Sequence, residues 1–167
     1  WGPVIYEYYA GTEGAGFTLI NSEQWLTHQG SVGLPLACEV HVVDEEGADL
    51  PVGEIGTVYF GGGPQSFEYY QEPGKTADSH NAKGWSTMGD VGYLDEDGFV
   101  YISDRISDMV ISGGVNIYPA EIETILIGLP GIGDCAVFGI PDDEFGETLC
   151  AHIELDHGAD LTADQIK

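Results

Sequence analysis

The chain has 167 residues, 43% of them hydrophobic, and carries 29 acidic side chains against 4 basic ones, a formal charge of −25. A surface this anionic repels phosphate backbones and anionic bilayers, so nucleic acid and anionic membrane are poor partners, and no apolar run is long enough to span a bilayer. The length suits one domain or one and a fraction with a sizeable core, and the 25 glycines point to many turns and short strands.

In chain order, the opening "WGPVIYEYYAGTEG" is an apolar run already in progress without an initiator Met. Residues 38–43 and 55–60 have strand composition, and "DEEG" at 44–47 reads as a hairpin turn. The stretch 64–85 reads as a looser segment in which Pro73 and Gly74 break any regular element. "VGYLDEDGFVYISDR" repeats strand, acidic turn and strand; its "DEDG" at 95–98 lacks EF-hand spacing and is expected to be a turn.

From residue 106 the pattern changes. "ISDMVI" is an expected strand and "SGGVN" a loop, followed by a helix over 119–129. Pro119 suits the first helical position, and Glu121 and Glu123 suit the positive N-terminus. Ile122, Ile125, Leu126 and Leu129 fall on one expected buried face. Residues 134–156 read as two strands around "PDDEFG". Thr162 and Gln165 form a capping-box start for a last helix, with barely one turn before Lys167. Both ends read as cuts through structure. Cys38, Cys135 and Cys150, an odd number without a CxxC, are expected to be small buried thiols in a reducing compartment, hence a cytoplasmic protein. The five histidines show no metal-ligand spacing, and His152 and His157 are expected to face solvent.

Three islands could carry chemistry. In "YYAGTEG" at 8–14, small residues beside Thr12 and Glu13 let a backbone approach a phosphate, with a metal between it and the carboxylate; Tyr8 and Tyr9 offer a flat face for a base. In "TMGDVG" at 87–92, Asp90 reads as an exposed carboxylate suited to two adjacent sugar hydroxyls. In "SDRISDMVISGGVNIYPAEIE" at 103–123, Arg105 sits at a hairpin end and Gly113-Gly114 lie further along. Taken singly, these read equally as a Gly-rich turn, a turn aspartate, a surface ion-pair partner and a hairpin loop.

Together and in this order they resemble one family. Tyr9-Ala10-Gly11-Thr12-Glu13, Met88-Gly89-Asp90 and Arg105 through Glu123 are similar to motifs of adenylate-forming enzymes of the acyl-CoA synthetase, fatty-acid–CoA ligase kind. "GSVGLP", "LPVGEIG" and "DEDGFVYISDR" add to the resemblance. It implies an α+β fold: a β-rich, distorted barrel-like end of the large AMP-binding domain over 1–106, then a truncated small α+β C-terminal lid domain over 107–167. It also implies ATP, Mg2+ and coenzyme A as cofactors and a small carboxylic acid, a fatty acid by the kind of ligase, as substrate. By carry-over, Tyr9, Ala10, Gly11, Thr12, Asp90, Ile102 and Arg105 would bind ATP or AMP. Thr12 and Glu13 would be catalytic, with Glu13 holding magnesium. Gly113 and Gly114 would line the coenzyme A route, and Ser107 would be the hinge. Ala10, Met88 and Ser107 depart from the commoner glycine, hydroxyl residue, and Asp or Lys. The family's phosphate loop is expected upstream of Trp1 and its adenylation lysine beyond Lys167, so the 167-residue chain alone is expected to be inactive. Loading of a carrier protein, and a degenerate non-catalytic relative, are the alternatives.

Overall fold

The computed structural model describes residues 2–63 and 67–166, so the expected loose segment is described only from Phe67 onward and Trp1 and Lys167 fall outside. The chain divides into two compact units, Trp1–Ser103 and Asp104–Lys167.

The first unit is two antiparallel-type sheets. β1 (Tyr6–Ala10), β2 (Phe17–Asn21) and β3 (Leu34–Pro35) form one in that order, and β4 (Glu39–Val43), β5 (Gly56–Gly61), β6 (Asp90–Leu94) and β7 (Val100–Arg105) form the other. Both are open meanders, so the expected barrel-like closure does not occur among the described residues. Period-2 alternation on β5 buries Val58 and Phe60, which join Ala15 and Val42 in a core. Tyr9, Phe67, Met88 and Ile102 pack against it.

Two short helices go beyond the sequence reading. α1 (Ser22–Thr27) starts at an Asn21–Gln24 capping box: Asn21 Oδ1 accepts from the N–H of Gln24, and Gln24 Oε1 accepts from the N–H of Asn21. α2 (Pro73–Asp78) corrects the expectation that Pro73 and Gly74 break regular structure. Pro73 sits in the first turn, where its missing N–H has no intrahelical acceptor to lose.

The "DEDG" stretch is a turn, as expected: Asp95 O accepts the N–H of Gly98 at 3.1 Å. Asp95 Oδ1 also accepts from the N–H groups of Asp97 and Phe99, and Oδ2 lies 3.0 Å from His28 Nδ1 and accepts from Tyr101 Oη. His28 stacks on Phe99 with centroids 3.7 Å apart. Burial of Asp95 disfavours its charge, yet the N–H of Phe99, His28 and the other donors outweigh it and hold the carboxyl below its ordinary range. A depressed folded pKa contributes stability above the unfolded value, and that stability is lost as pH falls through the folded value. Asp95→Ala is therefore expected to lower stability by about 1–3 kcal/mol at pH 7 and to flatten the acid limb of a pH–stability curve. Urea unfolding of both proteins between pH 7 and pH 3 measures it.

The second unit places β8 (Val110–Ser112), β9 (Val115–Ile117), β10 (Ile132–Asp142) and β11 (Gly146–Leu155) in a sheet of order β10-β11-β8-β9. Gly113 and Gly114 are the two residues between β8 and β9, with φ of 58° and 81°. Both positions are left-handed, as a two-residue hairpin turn of the primed type demands. α3 (Pro119–Ile127) packs on β10 through Ile122 and Leu126. The expected helix face is corrected: Ile125 is 68% exposed, and Leu129, beyond the Gly128 cap, is 39% exposed. The helix packs on the sheet through one side, which takes Ile122 and Leu126 and leaves Ile125 and Leu129 outside. Glu123 also turns to the sheet, where Oε1 accepts the N–H of Val137 at 2.8 Å. The helix N-terminus is capped from a distance, by Asp104 Oδ2 accepting the N–H of Ala120 at 3.0 Å. α4 (Ala163–Ile166) begins as expected, with Gln165 Oε1 accepting from the N–H of Thr162. His152 and His157 are exposed, and the three cysteines are free and half-buried rather than buried, Cys38 and Cys135 packing at the margins of the two cores.

Candidate functional site

β1 carries Tyr9 on the core side and Tyr8 on the opposite face, where Tyr8 is 71% exposed, so the two rings do not share a surface. Tyr9 packs on Phe60 with ring centroids 6.1 Å apart. Ala10, at the end of β1, is exposed. The chain then turns: Gly11 O accepts the N–H of Gly14 at 3.1 Å, which leaves Thr12 exposed and Glu13 half-buried at the bend.

Asp90, expected to be exposed, is 5% exposed at the first residue of β6. A buried carboxylate needs hydrogen-bond donors, and the Tyr9 hydroxyl supplies one, donating to Asp90 Oδ2 across 81 residues of sequence. Behind Asp90, Thr87 is braced by donating to Val58 O at 2.7 Å, and its Oγ1 accepts the N–H of Gly89 at 3.0 Å. The two loops also touch at Gly11, where an added Cβ would press on Met88 Sδ and come within 2.6 Å of Glu13 Oε2. A larger residue there would have to displace the ends of the Met88 and Glu13 side chains. Residues 9–13 and 87–90 are therefore brought together.

Glu13 Oε1 accepts from Tyr69 Oη at 3.0 Å, and Oε2 accepts from Thr12 Oγ1 at 3.4 Å. Its carboxyl is held below the ordinary range first by its own backbone N–H, against partial burial, and then by Tyr69, Thr12 and the charge of Lys75. No group of three or more His, Cys, Asp or Glu side chains forms a cage among the described residues. An ionised hard oxygen donor beside a hydroxyl nonetheless fits magnesium, which keeps several waters and takes its remaining ligands from phosphates.

Ile102 is half-buried against the core of the same unit. In the second unit, Arg105 is exposed, with its N–H donating to Asp104 Oδ1 at 2.7 Å. Ser107 lies in the following turn, closed by the N–H of Asp108 donating to Arg105 O, and its hydroxyl donates to Asp108 Oδ1. Gly113 lies against Phe145: its N–H donates to Phe145 O at 2.9 Å, and an added Cβ would stand 3.2 Å from the ring.

The AMP-binding enzyme family profile matches residues 1–70, and that of the AMP-binding enzyme C-terminal domain matches residues 121–167. The chain belongs to the AMP-binding enzyme family.

Among family members, the long-chain-fatty-acid–CoA ligase FadD13 of Mycobacterium tuberculosis is 40% identical over 154 residues, 91% of this chain and 30% of that protein. The fatty acid–[acyl-carrier-protein] ligase ScoC of Streptomyces coeruleorubidus is 45% identical over 112 residues, 67% of this chain and 21% of that protein. ATP-bound MatB of Rhodopseudomonas palustris superposes with a TM-score of 0.86 at 36% identity, covering 97% of this chain and 32% of that one. The chain thus spans under a third of the length of each of these AMP-binding enzymes. Two residues that touch or brace this cluster, Thr87 and Tyr69, are absent from the sequence reading. Thr87 was legible as the hydroxyl beside the Met88 departure. Tyr69 lies 56 residues from Glu13, and no local pattern announces that contact.

Proposed function

We propose that the chain is part of an ATP-dependent acid–thiol ligase, which activates a carboxylic acid as its acyl adenylate and passes the acyl group to coenzyme A. The observation that carries this reading is the joining of two distant motifs through Tyr9 and Asp90, with Gly11 against Met88. An ionised carboxylate has about four lone-pair positions, so Asp90 can serve Tyr9 and still accept from both ribose hydroxyls. Tyr9, Ala10 and Gly11 border the base and phosphate, Thr12 donates to the phosphate, and Ile102 walls the nucleotide. Glu13 holds magnesium, which when bound neutralises phosphate charge. The acid's carboxylate oxygen attacks the α-phosphorus and pyrophosphate leaves; a thiol then attacks the acyl carbon and AMP leaves. Arg105 reaches ribose or phosphate, Ser107 is the hinge between a large-domain part over 1–106 and a lid over 107–167, and Gly113 and Gly114 line the thiol's route. Their turn has no side chains to obstruct a slender arm.

A fatty acid is the proposed substrate, supported by the likeness to FadD13, and the free thiols fit a reducing cytoplasm. No helix among the described residues is long and apolar enough to cross a membrane. The likeness to ScoC supports a second reading, in which the acceptor is a carrier protein. The test is acid-dependent exchange of labelled pyrophosphate into ATP by the whole protein, across acids of graded chain length, followed by addition of free coenzyme A or a carrier. Exchange that requires acid, followed by acyl-CoA formation, is expected. Acylation of the carrier alone would favour the second reading, and AMP binding without exchange would mark a non-catalytic relative.

A further inference from the structure

The segment 67–80, which supplies none of the family motifs used above, reaches into the site through one side chain. Tyr69 Oη donates to Glu13 Oε1 at 3.0 Å. This phenol is fixed from three directions. Its own backbone N–H donates to Thr76 Oγ1 at 2.9 Å, and that hydroxyl donates onward to Glu72 O at 3.0 Å. Its ring stands edge-on to Phe67 with centroids 5.4 Å apart, and Phe67 packs on the core that holds Phe60. Lys75 Nζ lies 4.1 Å from the centroid of the Tyr69 ring. In a chain with 4 Lys and Arg against 29 Asp and Glu, one of those few cations stands behind the phenol that touches Glu13.

A free glutamate samples many rotamers, and ordering it opposes any interaction that needs one of them. Tethering Oε1 to a phenol anchored in the core removes much of that freedom and leaves Oε2 beside Thr12. A cation on the ring face also draws electron density from the phenol and strengthens its O–H as a donor.

We propose that Tyr69, backed by Lys75 and Thr76, is a positioning residue that aims the Glu13 carboxylate at a magnesium-bound phosphate of the nucleotide. The inference rests on the nucleotide reading above, and it separates from a purely structural role because Tyr69→Phe keeps the ring, the Phe67 and Lys75 contacts and the backbone bond to Thr76. What is lost is the hydroxyl, with its bond to Glu13 and its contact with the Ser79 side chain.

The experiment is calorimetric titration of the whole protein with ATP in MgCl2, with ATP in EDTA, and with AMP in EDTA, alongside thermal unfolding. For Tyr69→Phe, the affinity for ATP in MgCl2 is expected to fall about tenfold, as for loss of one hydrogen bond to a charged group. ATP and AMP affinities in EDTA and the unfolding temperature are expected to stay within error of the parent. Lys75→Met, which leaves the hydroxyl in place, is expected to shift the same quantity by about twofold to threefold, and carries the test if Tyr69→Phe does not fold. A magnesium-linked gain in ATP affinity as large in both variants as in the parent would overturn the positioning role. A parent protein that binds neither AMP nor ATP would overturn the nucleotide site itself.

Discussion

Asp90→Ala in the whole protein is expected to weaken AMP binding by about 10²–10⁴-fold. The figure follows from two hydrogen bonds between ribose hydroxyls and a charged carboxylate, each contributing about 1.5–3 kcal/mol. The same substitution leaves the Tyr9 hydroxyl without the acceptor it has in the native site. Loss of that hydrogen bond to a charged group costs about 1–3 kcal/mol and lowers the unfolding temperature. The two effects separate in Asp90→Asn, whose amide oxygen still accepts from Tyr9 while the charge is gone. That variant is expected to keep its unfolding temperature within about 2 °C and still lose at least about tenfold in AMP affinity. Calorimetric titration with AMP beside thermal unfolding of the three proteins measures both. An Asp90→Asn protein that binds AMP like the parent would mean that Asp90 is a fold residue supporting Tyr9 and nothing more.

Stability is expected to rise steeply with salt. With 29 acidic and 4 basic residues, at most four carboxylates can each have a Lys or Arg of their own, and Lys83 with Asp49 at 3.2 Å is such a pair. The remaining charges repel one another in the compact state more than in the expanded one. Screening length falls from about 10 Å at 0.1 M salt to about 3 Å at 1 M, so neighbouring carboxylates cease to sense one another over that range. A gain of only about 0.1 kcal/mol for each acidic residue amounts to about 3 kcal/mol, or roughly 6–12 °C in unfolding temperature. Thermal unfolding in KCl from 0.05 M to 1 M should show this rise, levelling off as screening saturates. A flat or falling trend would mean that the acidity is neutral for the folded state.

The parts of the fold legible in the sequence are those written in local chemistry. β4, β5 and β10 alternate or run apolar between acidic turns, and Asp95 could be read as a turn former because its carboxylate serves its own backbone two and four residues on. α2 was misread because Pro73 counts as a breaker inside a helix but as a starter in the first turn, and sequence alone does not say which position it holds. α1 is only six residues long, and its Asn21–Gln24 box was the available signal. Ile125 looked buried because a helical stripe shows which residues share a face, not how wide the neighbouring sheet is. The burial of Asp90 and the reach of Tyr69 to Glu13 depend on pairings across 81 and 56 residues, beyond any window of local pattern.

A crystal structure of the whole protein with AMP bears most directly on the claim that Tyr9, Thr12 and Asp90 form a nucleotide site. The account predicts both ribose hydroxyls within hydrogen-bond distance of the Asp90 carboxylate, the phosphate at the Thr12 hydroxyl, and the Tyr9–Asp90 hydrogen bond intact. AMP bound away from Asp90, or a ribose turned from it toward solvent, would contradict it.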